Sequence, residues 1–266
     1  MAFAPILSEC AIVKSPASES SDSSPLAPHP VLKEYYAEAD QRQQRVDAMF
    51  NASAPHYDWI ISVMSFGSGH RYRSEAMHRH GLAEGMQVVD VGSGTGSLAL
   101  IAQQTVGEQG RVVAVDPSEG MLTEAKRNGV TETLVATGDR MPLDDDQFDL
   151  LSMGYALRHV ADLKDTFVEY RRVLKSGGKV LLLEITRPKN RIGFHLLRFY
   201  LRGVVPLMAR LFRRSPETQE LMRYYWDTIE NCVPPESILE ALKAAGFKDV
   251  QRHVVFGIFS EYTGLA

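Results

Sequence analysis

In Val88-Val89-Asp90-Val91-Gly92-Ser93-Gly94-Thr95-Gly96, apolar β-branched residues flank an acid and run into three glycines at alternate positions. That is the pattern of a buried strand followed by a turn whose backbone no Cβ shields, so a ligand can lie flat against it. A dinucleotide site calls for Gly-x-Gly-x-x-Gly, with pyrophosphate on the helix N-terminus. Here Ser97 stands three places after Gly94, and a carboxylate at Asp90 repels phosphate. A carboxylate beside a glycine loop suits a cationic ligand instead, such as the ammonium of S-adenosylmethionine.

The same logic repeats outward. Arg111-Val112-Val113-Ala114-Val115 reads as a second buried strand, ending at Asp116 twenty residues after Gly96. An acid at that distance can accept both ribose hydroxyls. Pro117 and Ser118 then open a helix, with Ser118 as its N-cap. A third strand, 133–137, runs into Gly138-Asp139-Arg140, where Asp139 can accept a hydrogen bond from an adenine amino group. Three acids at the ends of three successive strands predict one crevice at the carboxyl edge of a parallel sheet.

The chain has 266 residues and a net charge of −4, which fits one α/β domain with decorations and gives no sign of a nucleic-acid partner. Cys10 and Cys232 support neither a disulfide framework nor a zinc pattern, so a reducing, cytoplasmic setting is expected. No apolar run approaches the roughly 18 residues that span a bilayer. The apolar stretch Phe3–Val13 is interrupted by Glu9 and lacks a preceding basic residue, against a signal peptide. The histidines show no metal-ligand spacing, and no metal is expected.

Residues 1–30, rich in serine and proline, are expected to be disordered. A helical cap is expected over 31–85, helical from Val31 to about Arg79, with turns at Ser53-Ala54-Pro55 and Phe66-Gly67-Ser68-Gly69. The main domain then covers 86–266. Its expected strands are 87–91, 111–115, 133–137, 148–153, 179–186, 249–254 and 256–262, and its expected helices are 96–105, 118–127, 162–174 and 236–245. Gly177-Gly178 reads as the cap that ends the helix before the fifth strand. This alternation predicts a doubly wound, seven-stranded, mostly parallel sheet, the Rossmann-like α/β class.

On these residues the chain resembles the class I S-adenosylmethionine-dependent methyltransferases. Within them it is similar to the ubiquinone/menaquinone biosynthesis C-methyltransferase family. The class-level likeness rests on Asp90 to Gly96, Asp116, Asp139 and Arg172-Val173-Leu174-Lys175-Ser176-Gly177-Gly178. The family-level likeness rests on Met49-Phe50, Ala54-Pro55-His56-Tyr57-Asp58, Met64-Ser65-Phe66-Gly67, His70-Arg71, Tyr155-Ala156-Leu157-Arg158-His159-Val160 and Leu183-Glu184-Ile185. The resemblance implies S-adenosyl-L-methionine as cofactor, held by Asp90, Gly92, Ser93, Gly94, Thr95, Gly96, Asp116, Pro117, Asp139, Arg140 and the position of Gly154. It places Tyr57 and Arg158 on the acceptor side. The family usually carries serine where Gly154 stands and Arg-Asn where Arg158-His159 stands; the second departure leaves the identity of the substrate open.

For a phenolic or quinol ring carbon, removing the phenol proton makes the carbon nucleophilic, and a positioned base contributes roughly 10² to 10⁴. Arginine is a poor base, so Arg158 is assigned to the developing phenolate or to orienting a water. His159, with an ordinary pKa of about 6.5, is the more natural base, although it can equally cap a helix or face solvent. His78, His80, Arg73 and Arg79 read as a solvated basic face. From Ile185 to Pro216 the chain is basic and apolar with no acid. Within an expected helical insertion at 188–233, the segment 188–214 can touch an anionic membrane surface, close over the substrate as a lid, or cover its own core. Tyr224, Tyr225 and Trp226 fit either a core or an interface, which leaves a homodimer open. Alternatives to ring C-methylation are O- or N-methylation of a natural product or lipid amine, or a non-catalytic binding module of the same fold.

Overall fold

Val88 and Val89 are both fully buried, each in a different hydrophobic cluster, as neighbours on a strand must be when both faces of a sheet are covered. The computed structural model describes residues 25–38, 41–65, 67–212 and 216–266. Two helices come first, α1 (Arg42–Met64) and α2 (Gly69–Arg79). Then follow β1 (Gln87–Val91), α3 (Ser97–Val106), β2 (Arg111–Asp116), α4 (Glu119–Arg127), β3 (Thr133–Val135) and β4 (Phe148–Gly154). A 3₁₀ turn, Leu157–His159, leads to α5 (Leu163–Val173) and β5 (Leu174–Ile185). After α6 (Arg191–Arg198), a π-helical turn at Phe199–Val204 and α7 (Val205–Phe212) come α8 (Pro216–Asn231), α9 (Pro235–Ala244), β6 (Lys248–Val255) and β7 (Phe259–Leu265).

The seven strands lie in the order β3-β2-β1-β4-β5-β7-β6, parallel except that β7 runs antiparallel to β5 and β6. The expected doubly wound sheet is thus present, and its strand order reverses beside β1, where ligands of such sheets sit. One core joins the sheet to α5 and α9 through Val89, Phe167, Tyr170 and Leu242; a second joins it to α2 and α3 through Met77, Leu98 and Ala102. A third lies among α1, α8 and the π turn and contains Met49, Ile60, Leu201, Tyr224 and Trp226. Tyr224 and Trp226 are therefore core residues, not an interface.

Several local expectations are corrected. Helix α1 passes unbroken through Pro55, with no turn at 53–55; burial of Ala54 and Ile60 on either side outweighs one lost backbone donor. Residues 31–38 are not helical, and the helix begins at Arg42. Phe66, in the second expected turn, lies outside the described residues, but Gly67 (φ 76°) does turn the chain there. Gly177 and Gly178 do not cap α5, which ends at Val173 with Leu174 already extended (ψ 136°). They lie inside β5, where a Cβ on Gly178 would stand 2.9 Å from the carbonyl oxygen of Phe148. The final hairpin turns later than expected, at Phe256 and Gly257.

Of the tail expected to be disordered, residues 1–24, Cys10 among them, lie outside the described residues. Residues 25–30 are held in place: Leu26 N–H donates to Asp162 Oδ2 at 2.8 Å, and Val233 N–H donates to the Pro28 carbonyl at 2.8 Å. His29 is buried. The backbone bonds, which composition does not reveal, offset the ordering cost.

Candidate active site

Helix α1 lies over the carboxyl edge of the sheet because two of its polar side chains are tied to the loops there. Asn51 Oδ1 accepts from Ser118 Oγ and from Gly120 N–H, both at 2.8 Å, at the start of α4. Asp58 accepts from Thr95 Oγ1 at 2.5 Å and from Asn128 Nδ2 at 2.9 Å, next to the glycine loop. Ser118 also caps α4 as expected, its hydroxyl accepting from Met121 N–H at 3.1 Å.

Two of the cavities under this cover meet; a further one, about 410 Å³, lies between α1, α2 and α3 and is lined by Asp58, Arg73 and Thr95. The smaller of the two that meet, about 340 Å³, is lined by Asp116, Pro117, Met121 and Asp139 from the sheet side and by Asp47 and Phe50 from α1. The larger, about 770 Å³, runs between α1, α2 and α8 past Tyr72, Leu197, Tyr200 and Met222 to the β6–β7 turn. They share Tyr57, Gly92, Gly94, Gly154 and Tyr155. A reaction between two ligands, one in each cavity, would take place at these five residues.

The smaller cavity fits the adenosyl part of S-adenosylmethionine. Gly92, Gly94 and Gly96 all have positive φ (63°, 58° and 88°), which only glycine adopts without strain. A Cβ on Gly94 would meet no protein atom closer than 3.8 Å, so that backbone stands open to a ligand. Asp116 Oδ2 accepts from Gly94 N–H and Oδ1 from Ser118 N–H, both at 2.8 Å, which fixes the carboxylate at the cavity wall. Burial pushes its pKa up to about 6, against those hydrogen bonds.

The expected three acids do not share one space. Asp90 is buried, accepts from Ser93 Oγ at 2.6 Å and Ser152 Oγ at 2.7 Å, and lines the larger cavity instead. Its pKa also rises to about 6 through burial. Ser93 and Thr95 likewise face the larger cavity, with Thr95 spent on Asp58. Arg140 is exposed and lines neither cavity. Gly96 also lines neither; a Cβ there would come within 2.5 Å of Val130, so its part is to let α3 pack. At Gly154 a Cβ would stand 2.8 Å from Leu98 Cδ1, so a hydroxyl-bearing residue would need Leu98 to move.

The expected catalytic residues also separate. Arg158 is fully buried and lines neither cavity. Its Nε donates to Glu184 Oε2 at 2.9 Å, Nη1 to Thr228 Oγ1 at 2.7 Å, and Nη2 to the Tyr155 carbonyl at 3.2 Å. It knits the loop after β4 to β5 and α8, and so is placed to position rather than to touch an acceptor. Tyr155, which it helps hold, is a non-glycine residue at φ 63°, a conformation that costs on the order of 1–3 kcal/mol. His159 lines only the smaller cavity, between Phe50 (5.2 Å) and Tyr224 (5.5 Å), and both ring nitrogens are buried without a hydrogen-bond partner among the described residues. Burial, then Arg158 and Arg42, hold its pKa well below the ordinary value, so it is a neutral imidazole and a weak base. Tyr57 lines both cavities, and burial raises its pKa, so its phenol stays protonated.

The residues 38–266 match the ubiE/COQ5 methyltransferase family. The chain belongs to that family. It is 32% identical over 233 residues to the ubiquinone/menaquinone biosynthesis C-methyltransferase UbiE of Geobacter sulfurreducens, covering 84% of this chain and 89% of that one. It is 31% identical to the demethylmenaquinone methyltransferase of Geobacillus stearothermophilus, covering 84% and 97%. Solved SAM-dependent methyltransferases from Aquifex aeolicus and Thermotoga maritima share the fold, with TM-scores of 0.53 and 0.58. They are 20% and 21% identical and cover 78% and 82% of this chain and 98% of each of those chains. As a member of the ubiE/COQ5 family the chain is an S-adenosylmethionine-dependent methyltransferase.

Asn51, Asp58, Arg73 and Tyr155 are further residues of the site, beyond those the sequence points to. Asp58 and Tyr155 lie inside the blocks that carry the resemblance, but nothing in the sequence marks what they contact. Arg73 was read as part of a solvated basic face, but is 7% exposed and lines the larger cavity. Arg79 and His80 on that face are also engaged, reaching the buried Glu261 at 2.6 and 2.7 Å.

Proposed function

We propose that this enzyme transfers the methyl group of S-adenosylmethionine to a ring carbon of a phenolic or quinol acceptor bearing an apolar tail. The observation that carries this reading is the meeting of the two cavities at Tyr57, Gly92, Gly94, Gly154 and Tyr155. The smaller cavity has the carboxylates that suit an adenosyl group, and the larger has the aromatic and aliphatic walls that suit a ring with a hydrocarbon tail. The names of both relatives above, a C-methyltransferase of quinone biosynthesis and a demethylmenaquinone methyltransferase, favour carbon over oxygen or nitrogen as the target.

When bound, the cofactor supplies a methyl group on a positively charged sulfur that leaves as a neutral thioether. The protein's task is to hold the ring carbon in line with that methyl, for which well-oriented pairs reach effective molarities on the order of 10⁵ to 10⁸ M. Asp116 and Asp139 fix one partner, and the walls of the larger cavity fix the other. Tyr57, protonated and at the junction, can donate a hydrogen bond to the acceptor's ring oxygen. Once the acceptor's phenol proton has passed to water, the ring carbon could take the methyl group as its bond to sulfur breaks, and the proton on that carbon would then pass to water, which restores aromaticity. His159 faces the donor side, where its free ring nitrogens can bond the cofactor. Arg158 acts through Tyr155.

An apolar acceptor has to leave a membrane to reach this site. Ile192, Leu196 and Phe199 are 75%, 64% and 69% exposed along one face of α6 and the π turn, and Phe256, which lines the larger cavity, is 87% exposed. Arg191, Arg198 and Arg202 are exposed beside them. An exposed apolar face flanked by arginines, on the same segment whose Leu197 and Tyr200 line the larger cavity, suits an anionic membrane surface. Among the described residues no helix is long and apolar enough to cross a membrane, and the contact proposed is a peripheral one. Co-sedimentation with anionic vesicles is expected to be lost when Ile192, Leu196 and Phe199 are all changed to serine.

The reaction itself is tested with methyl-labelled S-adenosylmethionine and a short-chain demethylmenaquinol. Mass spectrometry should find the label on a ring carbon; an O-methyl product, or no product, would reject the proposal.

A further inference from the structure

Arg73 sits on α2 with its side chain buried, its Cζ 5.1 Å from the centre of the Tyr155 ring, in the wall of the larger cavity. The other buried arginine bordering this region, Arg158, has Glu184 as its counter-ion. Arg73 has no carboxylate within ion-pair distance and no hydrogen bond among the described residues. A buried charge without a partner is costly, and an aromatic face offsets only part of that cost. The missing anion has a natural source in whatever fills the cavity.

A second feature points the same way. The first turn of α2 has no side-chain cap, because Ser68 Oγ donates to the Ser65 carbonyl at 2.6 Å instead. Its unpaired N–H groups therefore favour negative charge. A Cβ built on Gly69, the first residue of α2, would stand 2.7 Å from Arg73 Nη1, so the guanidinium lies against that turn. Ser68, Gly69 and Arg73 all line the larger cavity. The guanidinium and the helix end present one positive locus beside Tyr155, and Tyr155 is one of the residues at which the cavities meet.

We propose that Arg73 is the oxyanion-binding group of the acceptor cavity, holding the phenolate oxygen of the ring that is methylated. The inference rests on the ring C-methylation proposed above and adds the residue that makes the ring nucleophilic. A phenol whose proton has passed to water is a far better carbon nucleophile, and a guanidinium at its oxygen favours that state at neutral pH. The titratable and charged groups facing the same space are Tyr57 on α1, Arg71, Tyr72, Glu75 and Arg79 on α2, Asp90 on β1, Tyr155, Tyr200 in the π turn and Tyr225 on α8; Arg71 and Arg79 each have a carboxylate partner, Glu75 and Glu261. Of these, Tyr57, Asp90, Tyr155 and Tyr225 all feel the charge of Arg73.

The test compares wild type with Arg73→Gln and Arg73→Lys. S-adenosylmethionine affinity from calorimetry should be unchanged in both, which shows that the fold and donor cavity survive. In Arg73→Gln, kcat for a short-chain demethylmenaquinol should fall about 10²- to 10³-fold at neutral pH and recover as pH rises, and Arg73→Lys should retain part of the activity. Independently of turnover, 4-nitrophenol, whose absorbance reports its own ionisation, should bind wild type as the phenolate with a lowered apparent pKa, and lose that shift in Arg73→Gln. An unchanged pH–rate profile in Arg73→Gln, or a 4-nitrophenol pKa that does not depend on Arg73, would overturn the assignment. If the probe's shift depends on Arg73 while the wild-type enzyme methylates no ring carbon, the oxyanion site stands and the proposed reaction falls.

Discussion

The Arg158–Glu184 ion pair is buried on both sides, its side chains 0% and 4% exposed, and Glu184 also accepts from Leu157 N–H at 3.0 Å. Glu184→Gln keeps the shape and the Leu157 bond but leaves the guanidinium without a counter-charge. Breaking a buried pair in this way costs about 3–5 kcal/mol. At about 2–4 °C per kcal/mol for a domain of this size, Tm should fall by about 6–20 °C. Arg158→Met should cost a similar amount, since it strands Glu184 and releases Thr228 and the Tyr155 carbonyl. The double variant removes both charges, so it should lose less than the sum of the singles, by about 2–3 kcal/mol. Urea denaturation followed by circular dichroism gives the three values, and calorimetry with S-adenosylmethionine follows the donor site. Additive losses, or a single-variant loss below about 1 kcal/mol, would refute the reasoning. So would an Arg158→Lys protein of normal stability and donor affinity whose kcat had collapsed, because that outcome requires Arg158 to touch the acceptor.

Gly92→Ala puts a methyl group 2.5 Å from Ala156 Cβ at a φ of 63°; a loss of about 1–3 kcal/mol is expected in the denaturation midpoint, partly restored by Ala156→Gly. Donor affinity should be level above pH 6 and fall as pH drops through about 6, where Asp116 takes up a proton that the complex must expel; calorimetry across pH 5–8 should show this, with most of the slope gone in Asp116→Asn. His29 makes the stability of the fold, too, fall with pH. Burial, then Arg42, hold its pKa at about 4 in the folded chain against 6.5 as the ordinary value. The unfolded chain thus binds the extra proton between those values, and stability is lost as pH falls through that window. The loss amounts to about 3 kcal/mol, and His29→Gln should remove it from the pH dependence of the urea midpoint.

The glycine loop, Asp116 and the parallel sheet were legible because their signals are local. A run of three positive φ angles favours glycine in any context, and a buried strand shows its β-branched run in the same way. Ser118 was legible as a cap for the same reason. Arg73 was not, because a basic residue on a polar helix looks solvated until the tertiary structure shows that α2 turns it toward Tyr155. Asn51 and Asp58 act across 67 and 37 residues of sequence, a separation that no pattern within α1 encodes. The position of Asp90 was only partly legible. Its place beside the loop suggests the same space as Asp116 and Asp139, whereas Ser93 and Ser152 hold its carboxylate in the wall of the larger cavity. Gly177-Gly178 misled because a glycine pair after a helix looks like a cap whether or not the helix has already stopped.

A crystal structure with S-adenosylhomocysteine bound tests the account most directly. The adenosine should lie between Met121, Asp116 and Asp139, with the sulfur at the opening bounded by Tyr57, Gly154 and Tyr155 and directed toward the larger cavity. An adenosine seated among Tyr72, Leu197 and Met222, or a sulfur facing away from Tyr155, would contradict it.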